Sequence, residues 1–149
     1  LEGDGVLERL DITLVLFPLD SECNWNLTTP MHPGACAVAR ALVCLEDRVI
    51  PALEWAYAEQ DALLAAAKTK DGEAQVKALI DARWQGLETC MASKETRLRL
   101  DEMIRFAVVN KLPVSTPQLF IGDQRLCEED SDIGLPYALG KLSPALAKK

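Results

Sequence analysis

The sequence predicts an α/β domain, and three observations carry that expectation. They are an unbroken run of β-branched and apolar residues at 12–17, a helical middle from about residue 35 to residue 110, and two short apolar runs either side of Gly122-Asp123. The expected order is therefore strand, several helices, antiparallel hairpin and a closing helix. At 149 residues, with no internal repeat and no low-complexity segment, residues 1–149 suit one domain around a single core.

ITLVLF, residues 12–17, reads as a strand covered on both faces, and Pro18 closes it. Residues 18–34 hold Pro18, Pro30, Pro33 and Gly34 and are expected to be loop. The sequon Asn26-Leu27-Thr28 within them is read as coincidence. An alanine-rich helix follows over residues 35–46. Pro51 belongs in the first turn of the next helix, where a missing N–H leaves nothing unpaired. Leu53, Tyr57, Gln60 and Leu64 recur along that helix at helical spacing. Residues 68–72 break the pattern, and residues 73–83 resume it with Val76, Leu79 and Ile80 on one side.

Ser93 is a strong N-cap, with Glu95 in the first turn where the helix dipole favours a negative charge. Leu100, Met103, Ile104, Ala107 and Val108 then mark one buried stripe, ending near Asn110 ahead of Pro113. Strands are expected over 118–121 and around 125–127, joined at Gly122-Asp123. Residues 132–147 read as a helix interrupted by Gly134, Pro136, Gly140 and Pro144.

Composition excludes several function classes. A net charge of −7 with sixteen scattered Lys and Arg leaves no basic face for phosphate, so nucleic acid is not an expected partner. No apolar run approaches the ~18 residues of a membrane span. The chain starts at Leu1 with no initiator Met and no signal-peptide pattern, so a processed or truncated beginning is expected. There is no glycine-rich phosphate loop and no Ser/His/Asp arrangement, and no cofactor is implied. Glu128-Glu129-Asp130 and Asp101-Glu102 read as solvated faces.

The five cysteines, Cys23, Cys36, Cys44, Cys90 and Cys127, form no Cys-x-x-Cys, and their number lean toward an oxidising compartment. Their odd count leaves at least one unpaired within the chain or partnered elsewhere. Cys23, His32, Cys36 and Cys44 lack the close paired-cysteine hook of structural zinc, so no metal site is expected. A structural disulfide between Cys23 and Cys36 would staple the proline-rich loop to the helix after it, worth about 2–3 kcal/mol. Cys36 and Cys44 lie two turns apart on one helix, ~12 Å along its axis, too far to bond each other. Cys44 reads as a small core residue, Cys90 as buried and inert, and Cys127 as the free-thiol candidate. His32, the single histidine, reads as a structural loop residue.

Two segments resemble a known family. VSTPQLFIGDQRL, residues 114–126, is similar to the cis-proline loop and following hairpin of thioredoxin-fold oxidoreductases. FPLD at 17–20, then Cys23-Asn24 and HPGAC at 32–36 opening a helix, resembles the entry to the helical insertion of DsbA-like domains, particularly those associated with vitamin K epoxide reductase homologues. The resemblance covers roughly residues 7–146. It implies a thioredoxin-like α/β fold with a DsbA-like helical insertion at about 35–110. It also implies thiol–disulfide exchange on protein substrates in the periplasm or another extracytoplasmic space, with a membrane quinone-linked redox partner. Thr116-Pro117, cis in the family, would expose the backbone beside it to a substrate strand, with Ser115 adjoining.

One departure qualifies the activity. The family places a strand and a Cys-x-x-Cys helix ahead of the strand that matches residues 12–17, and residues 1–11 contain no cysteine. No catalytic residue is therefore expected within residues 1–149: the redox pair lies upstream, or the domain has lost catalysis. The alternatives are a non-catalytic thioredoxin-like domain that binds peptides or proteins and, behind it, a glutathione-linked transferase or isomerase of the kappa type.

Overall fold

Helix dominates the computed structural model of the chain, which describes residues 11–112 and 118–126 together with Tyr137 and Lys141. The fold divides into two units, Val15–Leu112 on one side and Leu1–Leu14 with Pro113–Lys149 on the other. In the larger unit α1 (Ala35–Cys44) leads through a 3₁₀ turn (Glu46–Arg48) into α2 (Val49–Ala58), α3 (Gln60–Ala67), α4 (Gly72–Arg83), α5 (Glu88–Ala92) and α6 (Lys94–Val109). In the smaller unit β1 (Phe120–Ile121) pairs antiparallel with β2 (Gln124–Arg125), Phe120 opposite Arg125. The turn between them holds Gly122 at φ 57°, the left-handed backbone that glycine adopts freely.

Residues 12–17 lie in neither helix nor strand, and the hairpin is the one sheet among the described residues. The strand expected there has no described ladder partner. Apolar, β-branched sequence favours extended backbone, but a strand exists through hydrogen bonds to a neighbour, and composition supplies none.

Helix α1 is the centre of the larger unit, packed against α2, α4, α5 and α6. Its sequence explains that position. Ala37, Ala39 and Ala41 are buried along with Cys36, Leu42 and Val43, so the helix presents little bulk and lets neighbours approach from several sides. Ala37 and Ala41 join Leu63, Val76, Ile80 and Met91 in the main apolar cluster. On α6 the buried line is Thr96, Leu100, Ile104 and Ala107, while Met103 and Val108 are half-buried.

The helix expected beyond Pro51 is two helices, parted at Glu59. Pro51 is the third residue of α2, among the first-turn positions whose N–H has no helical acceptor. Ala52 and Leu63 face the core, whereas Tyr57 and Gln60 are exposed. The break at Glu59 shifts the buried stripe off the single-helix spacing. A short helix at α5 was not expected. Trp84, between α4 and α5, is buried edge-on to Trp55 with ring centroids 6.5 Å apart, and the Arg83 guanidinium lies 4.2 Å from its ring centre.

The ends of the helices follow local chemistry. Ser93 caps α6, its Oγ accepting the Thr96 N–H at 3.1 Å. At the other end Lys111 adopts φ 53°, the Leu112 N–H donates to the Ala107 carbonyl and the Lys111 N–H to that of Val108. That is the Schellman arrangement, here with lysine where glycine is usual. On α4 the Lys77 ammonium donates to Glu73 at 2.6 Å and its charge adds to the effect, holding the Glu73 carboxyl below its ordinary value of 4.5.

Gly34 has two reasons to be glycine. Its φ is 87°, and a Cβ there would meet Val76 Cγ2 at 3.0 Å and Ala67 Cβ at 3.1 Å. Gly86 has a similar φ of 81° with nothing within 4 Å of a Cβ. Gly34→Ala is expected to lose about 2–4 kcal/mol in urea unfolding, combining backbone strain with overpacking, and Gly86→Ala only about 1 kcal/mol. Equal losses at the two positions would mean that the contact of Gly34 with α3 and α4 carries no weight. Glu73→Gln is expected to lose about 0.2–0.5 kcal/mol at neutral pH. Because the folded pKa lies below the unfolded one, this difference is present above 4.5 and disappears as acid protonates Glu73. A loss that persists at pH 2 would contradict that assignment.

Candidate functional site

The chemistry of the larger unit gathers at the two ends of α1. Ahead of its N-terminus, the loop after Pro18 is built around two buried polar side chains, Asp20 and Asn24. Asn24, fully buried, donates from Nδ2 to the Pro18 carbonyl at 2.8 Å and accepts the Asn26 N–H on Oδ1 at 3.1 Å. Asp20 accepts the Glu22 N–H on Oδ1 at 3.1 Å, and on Oδ2 the Gly34 N–H at 2.8 Å and the Cys36 N–H at 3.5 Å. Gly34 offers no side chain to cap α1, so a carboxylate from fourteen residues earlier fills that role. A buried negative charge at this place is favoured by the helix dipole and by the N–H groups turned toward it.

Cys23 and Cys36 are bonded, with Cα atoms 5.8 Å apart. The bond fixes the loop to the first turn of α1. The Cys23 N–H donates to Cys36 Sγ at 3.0 Å, and the Asp20 carbonyl oxygen lies 3.3 Å from the same sulfur. A Glu22 carboxylate oxygen lies within 4.8 Å of both sulfurs and is paired to Arg40 at 2.8 Å. Cys36 is 2% exposed. Trp25, from the same loop, donates from Nε1 to Asp101 Oδ1 on α6 at 2.7 Å, and Arg105 pairs with the other oxygen at 3.1 Å. Asp101 is thus half-buried with both carboxylate oxygens bonded, on a helix face where Glu102 and Arg105 are exposed.

At the other end of α1, Cys44 is bonded to Cys90 on α5, with Cα atoms 6.1 Å apart. This pair was not expected. Cys44 does pack against the apolar cluster, but Cys90 is exposed and covalently engaged where a buried, inert residue was anticipated. The Thr96 hydroxyl lies 3.5 Å from each sulfur. Its hydrogen is available to them, because its oxygen accepts the Ser93 hydroxyl at 3.2 Å while Ser93 Oγ takes the Thr96 N–H.

Ser115, Thr116 and Pro117, the expected substrate edge, lie outside the described residues, as does Cys127. The hairpin three residues beyond Pro117 is formed, with Leu119 and Phe120 exposed at 43% and 39%. His32 is exposed, and its backbone serves the loop, its N–H donating to the Leu19 carbonyl at 2.8 Å. Sequence reasoning missed Asp20 and Thr96. Asp20 bonds a helix fourteen positions away and carries no local signal, whereas Ser93-x-x-Thr96 is visible as a capping motif but not as a neighbour of sulfur.

No family model matches the chain, and neither a curated protein nor a solved structure matches it. Among the described residues no helix is long and apolar enough to cross a membrane. The two disulfides are compatible with an oxidised, extracytoplasmic protein.

Asp20→Ala leaves buried N–H groups of the loop and of α1 without an acceptor and is expected to lose about 1–3 kcal/mol in urea unfolding. A loss below a few tenths of a kcal/mol would remove Asp20 from the capping role. Replacing both members of a disulfide by alanine is expected to lose about 3 kcal/mol for the 13-residue separation of Cys23–Cys36 and about 4 kcal/mol for the 46-residue separation of Cys44–Cys90.

Proposed function

We propose that the chain belongs to an extracytoplasmic thiol–disulfide oxidoreductase domain, thioredoxin-like with a DsbA-like helical insertion, acting on protein thiols and disulfides. The observation that carries this reading is the oxidised state: four of the five cysteines are paired. Two features support it. The helices α1 to α6 occupy the stretch that the resemblance assigns to the insertion, and the β1–β2 hairpin follows Thr116-Pro117 where the resemblance expects it. In this reading Ser115, Thr116 and Pro117 form the edge that takes up an extended substrate, and a Cys-x-x-Cys upstream of residue 1 supplies the attacking and resolving thiols. A periplasmic location and reoxidation by a membrane quinone-linked partner complete it.

A second reading, a non-catalytic peptide-binding domain on the same fold, is favoured by one observation: residues 1–149 contain no Cys-x-x-Cys. The two differ in chemistry that a mass spectrometer resolves. The intact protein, purified from its source and alkylated before and after reduction, is expected to weigh more than 16.4 kDa and to carry two reducible cysteines beyond those of this chain. A mass of 16.4 kDa with no further cysteine would transfer the assignment to the binding domain.

A further inference from the structure

The two disulfides differ in what an incoming thiol would meet, and the geometry points to Cys44–Cys90 as a thiol-exchange site in its own right, with Cys90 as the sulfur attacked by a partner's dithiol. This inference rests on the disulfides alone and holds whichever reading of the upstream chemistry is correct. Thiolates attack along the S–S axis and need open approach to one sulfur. At Cys23–Cys36 that approach is closed: Cys36 is 2% exposed, Cys23 is half-buried, and both sulfurs lie near the Glu22 carboxylate. The Asp20 carbonyl oxygen against Cys36 Sγ adds a further electron-rich group beside the bond. Burial of Cys36 and the groups packed around both sulfurs leave an incoming thiolate no open line to this bond.

At Cys44–Cys90 the arrangement is reversed. Cys90 is exposed on a short surface helix, and Cys44 is held against the core. Thr96 Oγ1 lies 3.5 Å from both sulfurs and accepts the Ser93 hydroxyl, so its own hydrogen is free to be donated to either sulfur. In the exchange, a partner thiolate forms a bond to Cys90 Sγ as the Cys44–Cys90 bond breaks. The electron pair of that bond stays on Cys44 as a thiolate, which accepts the Thr96 hydroxyl hydrogen bond. The partner's second thiol then attacks its own sulfur in the mixed disulfide and releases Cys90. Two electrons and two protons pass from the partner dithiol, which leaves as a disulfide, to Cys44 and Cys90.

The test is time-resolved reduction of the oxidised protein with dithiothreitol, quenched by alkylation and read by peptide mass mapping. Cys44 and Cys90 are expected to label about tenfold faster than Cys23 and Cys36, in line with access to the attacked sulfur. With glutathione in place of the dithiol, the mixed disulfide is expected on Cys90 and not on Cys44. Thr96→Val, which keeps the side-chain shape, is expected to slow labelling of Cys44 and Cys90 about tenfold while leaving Cys23 and Cys36 unchanged. Labelling of both pairs at one rate, prior labelling of Cys23 and Cys36, or the glutathione adduct on Cys44 would each overturn the assignment. Should Thr96→Val not fold, the site of the glutathione adduct in the unmodified protein decides alone.

Discussion

Everything in the larger unit depends on how α1 is held at its two ends. Its alanines give it little side-chain bulk with which to interlock with a neighbour, so its placement comes from fixed points. At the N-terminus those are the Asp20 carboxylate on the Gly34 and Cys36 N–H groups and the bond from Cys36 to Cys23. At the C-terminus it is the bond from Cys44 to Cys90. Between them α2, α4, α5 and α6 pack on a rod that is thin enough to be surrounded. A bulkier α1 would hold its neighbours by interdigitation but would keep them further away. The small residues and the covalent ties are thus two sides of one solution.

The N-terminal tie also explains a buried charge that would otherwise be costly. A carboxylate at 6% exposure is tolerated only when its lone pairs are taken up. Asp20 finds Glu22, Gly34 and Cys36 N–H groups, and the helix dipole has the matching sign. Gly34 combines a left-handed backbone with an N–H bonded to the Asp20 carboxylate. Glycine is needed there for conformation, for clearance from Val76 and Ala67, and because the capping group comes from elsewhere in the chain.

How much of this the sequence disclosed depends on the range of each interaction. α6 was legible from Ser93 through Leu100, Ile104 and Ala107 to Asn110, because capping and helical periodicity are both local. α1, α4 and the Gly122-Asp123 hairpin were legible for the same reason, and the Cys23–Cys36 pairing followed from a short loop beside a helix start. The split at Glu59 was not, since a small offset in a buried stripe leaves the apolar spacing nearly intact. Cys44–Cys90 was invisible because a separation of 46 residues carries no spacing rule, and because α5 is too short to announce itself by periodicity. Residues 12–17 show the converse: a strong local pattern whose outcome depends on a partner strand.

The Cys44–Cys90 bond joins two properties that look opposed. In the chain-entropy account its long loop makes it the more stabilising of the two disulfides, yet it is the one open to attack. The conflict disappears once the reference states are separated. Loop entropy is a property of the unfolded chain, and reduction in the native state does not release it while α5 stays docked. Met91 is buried in the core cluster and Leu87 packs against it, so α5 has contacts on α1 that do not require the bond. Opening Cys44–Cys90 in the folded protein therefore leaves one exposed thiol, Cys90, and one against the core, Cys44, with little change in the surrounding packing, and Thr96 remains within reach of both. Opening Cys23–Cys36 is different, because the loop that carries Cys23 also carries the carboxylate that caps α1. One disulfide is thus bound up with the helix terminus it stabilises, and the other reinforces a junction that is already packed, which leaves the second free to change its redox state without unmaking the fold.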